Sequence, residues 1–141
     1  MSPYDDMRLQ INRWTAQSDA ARGYINRLQE QIDALYSCRD IIDREISNMK
    51  YTKGSIENFS TGNWAGNVFD NNFNADARTQ ASNRAANYIN SLNYIYDVLS
   101  DNITQLQDTQ NDQWGLIGQL GNWINDREND LAKAIHDGEC G

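Results

Sequence analysis

Between Ile11 and Met49, steps of alternately three and four residues land on one apolar ridge. The positions are Ile11, Trp14, Ser18, Ala21, Ile25, Leu28, Ile32, Leu35, Arg39, Ile42, Ile46 and Met49, and only Ser18 and Arg39 among them are polar. The residues between are mostly Arg, Asp, Glu, Gln and Asn. A period near three and a half residues gathers these side chains on one stripe of an amphipathic helix with a coiled-coil-like seam. It excludes a strand, whose side chains alternate every two residues. The second half repeats the device through Ile89, Leu92, Tyr96, Leu99, Ile103, Leu106, Gln110, Gln113, Ile117, Leu120, Ile124, Arg127, Leu131 and Ala134. Its two glutamines fall in the polar run Gln107–Gln113, after which the register resumes. Either one helix continues through a weak middle, or it bends there and a third segment folds back.

The chain breakers agree with this division. Pro3 is the only proline, so the strongest helix breaker is absent beyond the N-terminus. Gly54, Gly62 and Gly66 form one glycine cluster, and Gly115, Gly118 and Gly121 another. The pattern predicts a first helix over about 5–52, a connection over 53–65, and a second helix over about 66–108 that continues or bends into 114–136. A helix of the first length is ~70 Å long at ~1.5 Å per residue, whereas a compact globule of this chain length has a radius of gyration near ~14 Å. The expected fold is therefore all-α: a single domain built as an elongated, coiled-coil-like antiparallel helical hairpin.

Charge and composition narrow the function classes. The 141 residues carry 12 Lys+Arg against 20 Asp+Glu, a net charge of −8, which argues against nucleic acid as a partner because phosphate binding needs a basic face. No apolar run approaches the ~18 residues of a membrane span, so membrane insertion is not expected. Met1–Asp6 is acidic and lacks the apolar region of a secretory signal. Cys38 and Cys140 are too few for a disulfide scaffold, and the expected place of folding is a reducing cytoplasm. Residues 1–60 hold eight basic and nine acidic side chains, and 61–141 hold four and eleven. That asymmetry is a solvated acidic face or a surface that meets a basic partner.

Candidate catalytic chemistry is sparse. His136 is the only histidine, and one imidazole without a cysteine pair at ligand spacing cannot assemble a zinc site. No phosphate-binding glycine loop, nucleophile elbow or H-E-x-x-H stretch occurs. Acidic pairs such as Asp5-Asp6 have no apolar pocket beside them. No cofactor and no enzymatic activity are expected. Cys38 lies close to the apolar stripe and reads as a buried small hydrophobe, and Cys140 reads as exposed. Arg39 interrupts the ridge, where it either snorkels to water along its stem or pairs with a carboxylate of the facing helix.

The connection is the most specific part of the chain. It carries Trp64 at a turn, with Gly66 two residues later, and Phe69 and Phe73 continue an apolar stripe one helical turn apart. Thr61 or Asn63 supplies a side-chain oxygen to cap the next helix. A Trp-x-Gly tripeptide between two long amphipathic helices resembles the Esx, or WXG, superfamily of helical hairpins exported by type VII secretion systems of Gram-positive bacteria. The layout is most similar to YwqH-like proteins of Firmicutes, with a long first helix, a loop ending in Trp64-Ala65-Gly66, a Phe69-Asp70 step and a long second half. The resemblance covers most of the chain. It implies a chaperone-like adaptor for an LXG-type toxin, binding the toxin's helical N-terminal targeting region and assisting its export. The secretion pattern Y-x-x-x-D/E matches only at Tyr36–Asp40, inside the first helix. No export role is carried onto those residues, and the absence of a match after the second helix points to a partner as the source of a signal, where one is needed.

The partners expected on this reading are the toxin's helical region, a second small WXG-like protein, and a second copy of the chain. The residues expected to meet them are Ile25, Leu28, Ile32, Leu35 and Ile42 on the first helix. On the second they are Leu92, Tyr96, Leu99, Ile103, Leu106, Trp114, Gly118 and Trp123. The three glycines at spacing three are either a bent segment or a small-residue groove for a partner helix, with Trp114 and Trp123 beside it as anchors. The expected location is cytoplasmic, with type VII export implied by the resemblance. Two readings from other classes stand beside it: a self-assembling structural coiled coil without a client, and a general export or prefoldin-like chaperone hairpin.

Overall fold

The computed structural model describes residues 2–58 and 75–140. Those residues form two long helices, α1 (Pro3–Glu57) and α2 (Ala75–Cys140), and no strand is found among them. The all-α helical hairpin expected from the heptads is the fold observed.

Helix α1 begins two residues before the expected start because its cap is already in place. The Asp5 amide donates to the Ser2 carbonyl at 3.1 Å and to the Ser2 hydroxyl at 3.2 Å, so Ser2 acts as the N-cap. Pro3 then occupies the first turn, where its missing N–H is not needed. Asp5 and Asp6 place negative charge at the positive end of the helix dipole. At the other end α1 runs five residues beyond 52. Lys53 donates to the Glu57 carboxylate one turn on, the Asn58 amide reaches the Gly54 carbonyl at 3.0 Å, and Ile56 is half-buried. The Lys53 and Ser82 hydrogen bonds hold the Glu57 carboxyl below the usual carboxylate range.

Helix α2 runs unbroken through 108–115. The polar run Gln107–Gln113 stays helical because Gln110, at a ridge position, has partners on α1. Its amide donates to the Ile25 carbonyl at 3.3 Å and to the Gln29 side-chain oxygen at 3.0 Å. The glycines at 115, 118 and 121 are also helical. Each costs on the order of 1 kcal/mol relative to alanine, and burial of the intervening Ile117 and Leu120 opposes that cost. The helix extends to Cys140 rather than ending near 136. Near its end the Tyr4 hydroxyl donates to the Ala134 carbonyl at 3.1 Å. It also approaches Gly138 so closely that a Cβ there would lie 2.6 Å from the oxygen.

The helices pack as two compact units, one of Met1–Asp33 with Thr104–Gly141 and one of Ala34–Ile103. In the first, Ala21 and Ile25 bury against Ile117. Trp14 meets Trp123 with ring centroids 5.6 Å apart, and Gln29 meets Gln110, so the helices are antiparallel. In the second, Ile46 buries against Ile89 and Leu92, with Ile42, Met49 and Tyr96 packed around them. Ile32 and Leu120 are 1% exposed. No helix of the described residues is long and apolar enough to cross a membrane.

Truncating a ridge residue leaves a cavity that the antiparallel pair cannot fill. Ile32→Ala and Leu120→Ala should each lose about 2–5 kcal/mol in urea unfolding followed by circular dichroism. Ile41→Ser, at a site 56% exposed, should stay within about 0.5 kcal/mol of the parent. Equal losses at all three sites would contradict the assignment of the ridge to the core.

Candidate partner-binding surfaces

Heptad letters organise the surface once Ile11 and Ile89 are each set at position a. Positions a and d form the seam, and each hairpin unit then has two edges. One edge is made of e and b positions, the other of g and c positions. The two edges differ chemically.

The e edge is crossed by polar bridges. In the first unit the Arg22 guanidinium lies 5.8 Å from the Trp114 ring centre, and Gln29 accepts from Gln110. In the second, Arg39 donates to the Ser100 hydroxyl at 3.2 Å and stacks over the rings of Tyr36 at 4.8 Å and Tyr96 at 5.3 Å. Ser82 donates to Glu57 at 2.9 Å. Arg39 is half-buried, and among the described residues it forms no salt bridge with a carboxylate. Two tyrosine faces and a hydroxyl take its charge, an arrangement that suits a planar guanidinium.

The g edge is apolar and half-open. In the first unit a shallow groove is lined by Gln17, Ala20, Ala21, Tyr24, Gln113 and Leu116, and Trp123 stands beyond it, 41% exposed. In the second unit Ile41, Tyr88, Ile95 and Val98 occupy the same edge, all exposed, with Tyr94 outside them at 71%. Cys38 is also on this edge and is exposed rather than buried. It immediately precedes ridge position Arg39, so its side chain turns about 100° off the seam.

The candidate partner-binding residues separate into two groups. Ile25, Leu28, Ile32, Leu92 and Ile103 are buried, and Leu35, Ile42, Tyr96, Leu99 and Leu106 are half-buried. The folded hairpin spends these seam residues on its own packing, and the residues flanking them stay exposed. Trp114 is 51% exposed, on the e edge. Gly118 and Gly121 share that side, and a Cβ built on either meets nothing within 4 Å. Trp123 lies on the g edge against Trp14. Trp64, Gly66, Phe69 and Phe73 lie outside the described residues, as does the side chain of Cys140. In the sequence, Ile41 and Ile95 of this edge stand out only as apolar residues that widen the stripe beside the ridge, and Tyr24, Tyr88, Val98 and Leu116 do not stand out from it. Extending the heptad lettering to positions c and g is the signal that finds them.

No group of histidine, cysteine and carboxylate side chains able to hold a metal ion occurs among the described residues. His136 is exposed. What the surface offers is area for another helix: open backbone beside a large ring on one edge, and aliphatic and aromatic side chains on the other.

Because the space over Gly118 is open and its backbone is helical, Gly118→Ala should raise stability by about 0.5–1 kcal/mol in thermal or urea unfolding. A loss of stability would mean that this backbone is strained or covered.

No family model, no curated protein and no solved structure matches the chain.

Proposed function

We propose that the protein is a non-enzymatic adaptor that binds the helical N-terminal targeting region of an LXG-type toxin and accompanies it to type VII secretion. The reading rests on the resemblance carried by Trp64-Ala65-Gly66 between two long amphipathic helices, and an all-α hairpin supports it. The observation that carries it further is the face of α2 around Trp114. An exposed indole stands beside a helical backbone left bare at Gly118 and Gly121, and small residues allow another helix to approach closely while an aromatic anchors it. A client helix laid there meets Trp114 with its apolar face and continues the packing that the seam begins. The encounter takes place in the cytoplasm, before export.

The test is co-purification of the full chain with the helical N-terminal fragment of the toxin encoded beside it. Gly118→Leu fills the bare backbone with a better helix former, so the free protein should be at least as stable. Its affinity for the fragment should nevertheless fall by at least tenfold, as should that of Trp114→Ala. A wild-type chain that does not bind the fragment would overturn the reading in favour of a self-assembling coiled coil without a client. Binding that both variants leave unchanged would remove this face from the site.

A further inference from the structure

Helix α2 continues to Cys140 although its own sequence opposes the last turn. No basic residue stands in that turn, and Asp137 places negative charge at the negative end of the helix dipole. Gly138 is the least favourable helix residue after proline. From His136 to Gly138 every residue is exposed, so apolar burial does not hold this turn in place. The support that reaches it comes from α1. The Ser2 cap fixes the first turn of α1, and Tyr4 stands on that turn, half-buried and one heptad before Ile11 on the ridge. A phenylalanine there would continue the ridge equally well. The hydroxyl adds a bond to α2, donating to the Ala134 carbonyl at 3.1 Å. In an α-helix that carbonyl also accepts from the amide of residue 138, four positions on, and its second lone pair is open to the phenol. A side chain at 138 would stand in the way, because a Cβ built there lies 2.6 Å from the hydroxyl oxygen. The glycine that weakens the helix is thus the notch through which α1 reaches it.

From this geometry we infer that Tyr4 and Gly138 form a clasp, a two-position device within the first unit. Engaged, the phenol holds the turn after Ala134 as helix against α1. Released, that turn loses its support, and Asp137 and Gly138 favour unwinding beyond Ile135. The two positions lie close in free energy, because the net worth of one hydrogen bond opposes a glycine of similar cost. A contact of this kind sets how far α2 extends without altering the ridge, whose burial at Ile117 and Leu120 lies more than three turns away. The clasp is made inside one unit and does not depend on the adaptor reading.

The experiment is amide hydrogen exchange of the full chain, read by NMR at residues 137–140. Tyr4→Phe keeps the ring and removes the donor, and exchange at these amides should become about twofold to tenfold faster. Gly138→Ala is the second variant, made in both backgrounds. In the Tyr4→Phe chain no hydroxyl bond is left to lose, so alanine should act as in any exposed helix and slow exchange about fivefold. In the wild-type chain the new Cβ displaces the hydroxyl from Ala134, and that gain should vanish. Amides around Ile32 and Leu120 should keep their protection in all three variants. Unchanged exchange in Tyr4→Phe would overturn the proposal, and so would equal slowing by Gly138→Ala in both backgrounds. Faster exchange around Ile32 and Leu120 as well would make the contact part of the general core and also overturn it. None of these outcomes reads the toxin fragment, so the clasp and the client stand or fall separately.

Discussion

Two amphipathic helices in water each expose a ridge of Ile, Leu and Met that is stable only when covered, and in this chain each ridge covers the other. Every further feature depends on that mutual burial. Ile32 and Leu120, with 1% of their surface left in water, mark where it is most complete. The burial also lets the second helix tolerate helical glycines at 115, 118 and 121, because the residues between them are held by the opposite helix. A helix of this composition alone in water would fray at those positions.

A ridge of aliphatic residues sets affinity between helices better than it sets register, since neighbouring heptads look alike. The polar intrusions supply what the apolar residues lack. Gln110 reaches a carbonyl and a glutamine of α1 only at one height, and Arg39 finds Ser100 and its tyrosine faces only at one height. Moving the helices by one heptad would bury these groups without partners, which is costly in a low-dielectric seam. In a hairpin such groups act as locating pins.

The contrast between the two edges follows from the same packing. Bridges gather where arginine, glutamine and serine sit at e positions, and that edge is closed within the chain except around Trp114 and the bare glycine face. Among the described residues the g edge shows no such cross-helix bridge, and its tyrosines and aliphatic residues stay exposed. Among the described residues the grooves beside the helices are shallow and open. Its usable surfaces are long, shallow and suited to helices.

The helical class, the two ridges and their approximate extents could be read from the heptad spacing alone, because a period of three and a half residues is a property of local order. Helix ends were less legible. The Ser2 cap and the Lys53–Glu57 link extend α1 by pairing particular side chains, and the polar run at 107–113 looked like a break until its partner on α1 was known. Cys38 read as buried from its nearness to the ridge, yet one residue off the ridge is a rotation of about 100°, enough to expose it. Tertiary structure alone decided which apolar residues remain exposed. Burial of a seam residue depends on the helix facing it, and that helix lies as many as 130 positions away in the chain, as the Tyr4–Ala134 bond shows. The candidate residues on the ridge were chosen by local pattern, which cannot tell a seam closed by the chain itself from one left open; the antiparallel register makes that distinction.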